Sequence, residues 1–180
     1  MKKIIVFALV ALSANLAKAQ SPQDISKGRF IDRLYVGGNL GAQFGSVTSV
    51  EVSPLVGYRI TNDFSAGLGI TYIYYKFDLG NSNTFETNIY GYKLFARHNF
   101  LEKFYATTEF ENLSLEYYNR TDGSISREWI PGLFIGGGYF EPIGRNAGFN
   151  IAALYNVIYD DQKSPYNSPL VLRIGFTLGF

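Results

Sequence analysis

Eight stretches in which large apolar residues alternate with small or polar ones, joined by connections that mostly alternate between short and long, predict an all-β chain. The expected architecture is an eight-stranded antiparallel up-and-down transmembrane β-barrel. The inventory agrees. The 180 residues hold 14 Tyr and 15 Phe against one Met and no Cys, which favours strands and leaves no thiol for a disulfide, a thiolate metal site or a lipid anchor. Hydrophobic residues make up 47% of the chain and charged ones 17%, yet no apolar run approaches the roughly 18 residues of a membrane-crossing helix. A chain of this length is one domain, enough for a small closed barrel and too short for a wide pore.

Residues 1–19 read as a secretory signal peptide: Lys2 and Lys3, the apolar run Ile4 to Leu12, then the small-x-small site Ala17-Lys18-Ala19. The mature chain is expected to begin at Gln20, with 20–32 a polar periplasmic lead-in and 33–180 the barrel. Removing Lys2, Lys3 and Lys18 from the 16 basic residues leaves 13 against 15 acidic ones, a net charge of −2. That balance offers no basic field to nucleic acid.

Strand one alternates Leu34, Val36, Gly38, Leu40, Ala42 and Phe44 with Tyr35, Gly37, Asn39, Gly41 and Gln43. After a short connection at 45–48, strand two sets Val50, Val52, Pro54, Val56, Tyr58 and Ile60 against Glu51, Ser53, Leu55, Gly57 and Arg59. Pro54 gives up a ladder hydrogen bond, so a bulge or a local opening is expected there. Thr61-Asn62-Asp63 is a tight turn, and strand three carries Phe64, Ala66, Leu68, Ile70, Tyr72 and Tyr74 on its apolar side.

A longer polar stretch at 76–87 leads to strand four, with Tyr90, Tyr92, Leu94 and Ala96 opposite Gly91, Lys93, Phe95 and Arg97. The chain turns at 99–103 into strand five, where Phe104, Ala106, Thr108 and Phe110 oppose Tyr105, Thr107, Glu109 and Glu111. Residues 112–126 form the longest polar excursion. Strand six follows with Trp129, Pro131, Leu133, Ile135 and Tyr139, a turn at 141–146, and strand seven with Phe149, Ile151, Ala153, Tyr155 and Val157. After 160–168 the last strand alternates Leu170, Leu172, Ile174, Phe176, Leu178 and Phe180 with Val171, Arg173, Gly175, Thr177 and Gly179. Short turns thus fall on one side of the barrel and longer connections on the other, as membrane-spanning barrels require, with the short connection at 45–48 the one exception.

Alternation cannot say whether the apolar face meets lipid or a dry interior, since a lipocalin-like barrel shows the same period in the opposite sense. The other face decides. It is rich in glycine, among them Gly57, Gly67, Gly69, Gly132, Gly136, Gly138 and Gly175, where a solvated face would carry many Lys and Glu. Small residues suit the crowded lumen of eight strands. Tyr72, Tyr74, Tyr90, Tyr92, Trp129 and Tyr155 near the loop ends, with Phe64, Phe104 and Tyr139 near the turn ends, read as two aromatic girdles.

The inner face places Glu51, Arg59, Lys93, Arg97, Glu109, Glu111 and Arg173 in the lumen as one charge network. Such charges must pair, because an isolated buried one costs several kcal/mol. If the 99–103 turn is symmetrical, Lys93 faces Glu109. No catalytic site is expected: the single histidine, His98, lies at the turn end with outward parity, away from any Ser-His-acid arrangement. Asp160-Asp161 supplies too few oxygens for calcium, Gly136-Gly137-Gly138 has neither a following helix nor a Lys-Ser/Thr pair, and no metal or cofactor is anticipated.

The signal peptide and the terminal G-F-T-L-G-F resemble those of the small eight-stranded outer-membrane β-barrels, the OmpA membrane domain and OmpX among them, over Leu34 to Phe180. The resemblance implies a bacterial outer-membrane location, with lipid and the barrel-assembly machinery as partners. It also implies that Phe176, Leu178 and Phe180 form the assembly signal. Two functions remain open. One is a plugged structural or interaction protein that meets a protein partner through its external loops, alone or as a subunit of a larger envelope complex. The other is a narrow pore or lateral conduit for a small or apolar ligand.

Overall fold

In the computed structural model, residues 29–43, 47–78, 84–118, 125–144 and 146–179 are described; the signal-peptide and Phe180 readings lie outside them. A short 3-10 helix, Phe30–Arg33, leads into β1 (Leu34–Gln43), β2 (Val47–Arg59), β3 (Phe64–Asp78) and β4 (Thr84–Phe100). β5 (Phe104–Tyr118), β6 (Ile125–Pro142), β7 (Ala147–Asn156) and β8 (Leu170–Leu178) complete the chain. Each strand pairs antiparallel with the next, and β1 pairs with β8 to close the barrel.

Facing follows the alternation. Leu172 is 71% exposed, Ile70 62% and Trp129 51%, and Leu68, Ile135, Ile174, Phe176 and Leu178 share that outer surface. Glu109, Glu111, Lys93 and Arg173 are buried inside. A soluble barrel would reverse this arrangement. An apolar belt around a lumen holding buried charges is stable only where the outside is hydrocarbon, so the fold is a transmembrane barrel.

Two expectations about connections change. The 76–87 and 112–126 stretches are largely strand, because the β3–β4 ladder, with β2 still paired to β3 as far as Phe77, and the β5–β6 ladder run on past the belt. Register partners carry opposite charge there, Lys76 with Glu86 at 2.7 Å and Arg127 with Glu116 at 2.6 Å. Outside the bilayer neither face has to be apolar, so the alternation fades while the ladder continues. The longer connections shrink to 79–83 and 119–124, whereas 157–169 is a true loop between β7 and β8.

The β4–β5 turn also differs from the symmetrical reading. Leu101 and Glu102 both take left-handed backbone conformations in a three-residue loop, and Phe100 pairs with Phe104. The register is therefore two residues from the expected one, so Lys93 faces Glu111, and Glu109 faces Phe95. A shift of two preserves the facing of every side chain and changes only its partner.

Pro54 opens the wall without a bulge. Ser53 and Pro54 leave the β2–β3 ladder, yet Val52 still faces Tyr72 and Leu55 still faces Gly69, so no residue is inserted. The Ser53 hydroxyl donates to the Ile70 carbonyl at 3.3 Å and takes the place of the missing proline N–H.

Candidate functional site

Inside the barrel the described side chains form an aromatic layer and an ionic layer, with an apolar cluster of Ile73, Ile89, Leu113 and Leu115 beyond the charges toward the loops. Toward the turns lie aromatic rings. Tyr35, Phe95 and Tyr105 are buried, and each lies across a backbone that glycine has cleared. A Cβ on Gly57 would sit 2.1 Å from the Tyr35 ring, and one on Gly138 would sit 2.4 Å from the Tyr105 hydroxyl. Neither position can take a larger residue without moving the ring. The inner-face glycines thus make room for side chains from neighbouring strands.

Toward the loops lies the ionic layer. Arg173 on β8 reaches across to β5, where it pairs with Glu109 through Nη1 and with Glu111 through Nη2 at 3.1 Å. Glu111 also accepts from the Thr71 hydroxyl at 2.9 Å, and Ser53 Oγ lies 2.9 Å from Thr71 Oγ1. Lys93, 1% exposed, sits beside its register partner Glu111, but its Nζ has no hydrogen-bond partner among the described residues, and neither does Glu51 Oε1. Burying this many charges is tolerable only because acids and bases are interleaved, and removing one member would strand the others.

Two of the seven expected network residues sit apart. Arg97 stacks its guanidinium 4.1 Å from the Tyr105 ring centre, in the aromatic layer. Arg59 is at the turn-end rim, donating to the Asp32 carbonyl at 2.9 Å and the Gly179 carbonyl at 3.5 Å. The remaining five, Glu51, Lys93, Glu109, Glu111 and Arg173, form the central cluster.

Sequence reasoning missed Tyr166. It comes from the loop after β7, turns inward, donates to Glu111 Oε2 at 2.7 Å and accepts from Arg173 Nη2 at 3.2 Å. Its ring meets Phe134 edge-on at 5.7 Å. The one mark in the sequence is an aromatic in Pro165-Tyr166-Asn167-Ser168-Pro169, held between two prolines in a polar loop.

On the outer surface, Tyr90 and Tyr92 flank Trp129 at 6.3 and 6.1 Å near the loop end, and Tyr72 is the register partner of Tyr90. Tyr74 is half-buried and Tyr155 exposed at the same end. Phe104 packs on Tyr139 at 5.4 Å near the turns, and Phe64 pairs in register with His98. Phe176 and Leu178 project from the outer face of β8. At the turn-end rim Lys103 bonds both carboxylate oxygens of Glu141 at 3.0 Å, and that contact raises the lysine's pKa above its ordinary value.

The fold and the facing of its side chains define an eight-stranded transmembrane barrel with charged groups and aromatic rings buried inside. No protein-family model matches the sequence, and no curated protein does. Among solved structures, the chain is similar to the N-terminal β-barrel domain of Pseudomonas aeruginosa OprF, at 12% identity over 81% of this chain and 96% of that one, TM-score 0.44. It is also similar to Neisserial surface protein A, NspA, at 19% identity over 82% of this chain and 97% of that one, TM-score 0.45. A de novo designed transmembrane β-barrel aligns at 16% identity over 88% of this chain and 97% of that one, TM-score 0.41.

Proposed function

We propose that the protein is an integral barrel of the bacterial outer membrane with a sealed lumen. It is exported by its signal peptide and acts as a structural or interaction protein through its external hairpins, alone or as a subunit of a larger envelope complex. The observation that carries this reading is the Arg173–Glu109–Glu111 cluster with Tyr166 over it: a cross-strut of buried charges capped by a loop residue. An ion crossing the lumen would have to separate these groups, at a cost of several kcal/mol.

The tyrosines, Trp129 and phenylalanines at the two ends act as interfacial anchors, and Phe176, Leu178 and Phe180 serve as the signal read by the barrel-assembly machinery. The ion-paired extensions of β3–β4 and β5–β6 stand beyond the apolar belt and are the surface available to a protein partner. No catalytic role is proposed. A lateral conduit has one observation in its favour, the unpaired upper ends of β1 and β8.

Planar-bilayer recording tests the sealed lumen. The purified protein is expected to give no steady single-channel current, and reproducible unitary conductance would overturn the reading. Gentle extraction from native membranes is expected to bring a stoichiometric partner along, lost when 119–124 is replaced by a short turn.

A further inference from the structure

Apart from the two positions lost at Pro54, the wall is short of pairs at the seam between the first and last strands. β1 and β8 pair only from Val36 with Leu178 to Leu40 with Ile174. The next three register positions would set Gly41 against Arg173, Ala42 against Leu172 and Gln43 against Val171, and none of these pairs forms, although both strands continue. Each strand keeps its other neighbour there: Gly41 to Gln43 pair with β2, and Val171 to Arg173 pair with β7. The gap is therefore a slot in the wall about 10 Å long, not a frayed end.

Its depth is set by β7. Tyr155, among the loop-end aromatics, pairs with Leu170, and β8 runs from there toward the turns, so Leu172 lies on the membrane side of that tyrosine. Unpaired strand edges facing hydrocarbon cost several kcal/mol per group unless something covers them.

Behind the slot is a cavity of about 250 Å³. Leu170, Val171 and Leu172 line its membrane side, Pro165 to Ser168 roof it, and Glu51 and Tyr75 line its inner side. Glu51 Oε1 is buried with no hydrogen-bond partner among the described residues. Arg173 is already engaged by Glu109 and Glu111, which leaves Glu51 as the acid of the central cluster whose Oε1 no described side chain bonds, and it lies where the cavity meets the slot.

We propose that this seam is a lateral binding site for a membrane amphiphile with a primary-ammonium head, its head at Glu51 and its chain passing between β1 and β8 into the outer part of the bilayer. The ammonium donates to Glu51, and the chain packs against Leu170 and Leu172. The inference rests on the membrane reading of the fold and not on the sealed lumen. Bilayer recording reports on the lumen and ligand binding reports on the wall, so either can fail without the other.

The test uses the full mature protein in mild detergent, with dodecylamine as the probe and native mass spectrometry as the readout. One bound dodecylamine per barrel is expected. Ethylammonium, which lacks the chain, and dodecanol, which lacks the charge, are each expected to bind about tenfold more weakly or worse. Glu51→Gln is expected to lose about tenfold or more in affinity. The chain has no cysteine, so Ala42→Cys with Leu172→Cys places the only thiol pair across the slot. Oxidation should close the seam and abolish binding, and reduction should restore it. This variant keeps Glu51, so it carries the test even if Glu51→Gln fails to fold. Equal binding by Glu51→Gln, binding that survives the oxidised lock, or ethylammonium binding as tightly as dodecylamine would each overturn the proposal. So would capture of an extended peptide strand, rather than the amine, at the same edges.

Discussion

The β5–β6 wall and the β1–β8 seam are opposite kinds of junction in one barrel. β5 and β6 are joined by a six-residue connection and pair without interruption from Phe104 with Tyr139 to Tyr118 with Ile125. β1 and β8 come from opposite ends of the chain and meet over five register positions. The difference shows where closure is cheap. Neighbouring strands find each other through a short loop, whereas the seam must be closed across almost the whole chain, a larger closure cost that its few pairs have to offset. β8 is held on its other side by nine register pairs to β7, and across the lumen Arg173 ties it to Glu109 and Glu111 on β5.

The sharpest way to break this comparison is Arg173→Met. It removes the strut and leaves two buried carboxylates facing each other, with an expected cost of about 3–5 kcal/mol in urea unfolding from lipid vesicles. A loss below about 1 kcal/mol, the range of a surface ion pair, would show that the strut does not hold the seam.

A smaller effect, about 1–3 kcal/mol, is expected for Tyr166→Phe, which removes the donor to Glu111 while keeping the ring against Phe134. If the loop contributes only by packing, this variant will unfold like the parent. Hydrogen exchange refines the contrast further. The seam-facing amides of 41–43 and 171–173 should exchange about tenfold faster or more than those of Leu113 to Leu115 on β5, and equal protection would mean the slot is closed in the membrane.

The smallest effect belongs to the turn-end rim, remote from both junctions. Because Glu141 raises the folded-state pKa of Lys103, the pair's contribution is complete below the lysine's unfolded value and disappears as pH climbs through the higher folded one. Lys103→Met should therefore cost about 0.5 kcal/mol at pH 8, with parent and variant converging above about pH 10.5. A constant difference across that range would assign the cost to lost packing of the lysine stem instead.

Much of the fold was legible because a barrel strand writes its facing into every second residue. Leu170 to Leu178, Phe104 to Glu111 and Ile151 to Tyr155 could be assigned inside from outside one residue at a time. Legibility ended where the solvent changed. Beyond the belt Lys76, Glu86, Glu116 and Arg127 face water, so the ladder continues under a polar sequence that reads as loop. Register was legible only as far as the turn could be guessed, and left-handed backbone at Leu101 and Glu102, residues not marked for it, moved Lys93 from Glu109 to Glu111.

By itself the sequence determined the strand count and which face of each strand points outward, because alternation acts one residue at a time. Only the tertiary structure decided that Arg173 takes both β5 carboxylates, that Tyr166 turns inward to join them, and that Glu51 is left beside an open seam. Those outcomes depend on distances between strands far apart in the chain, and such distances are set by register and closure, for which no local pattern of residues carries a signal.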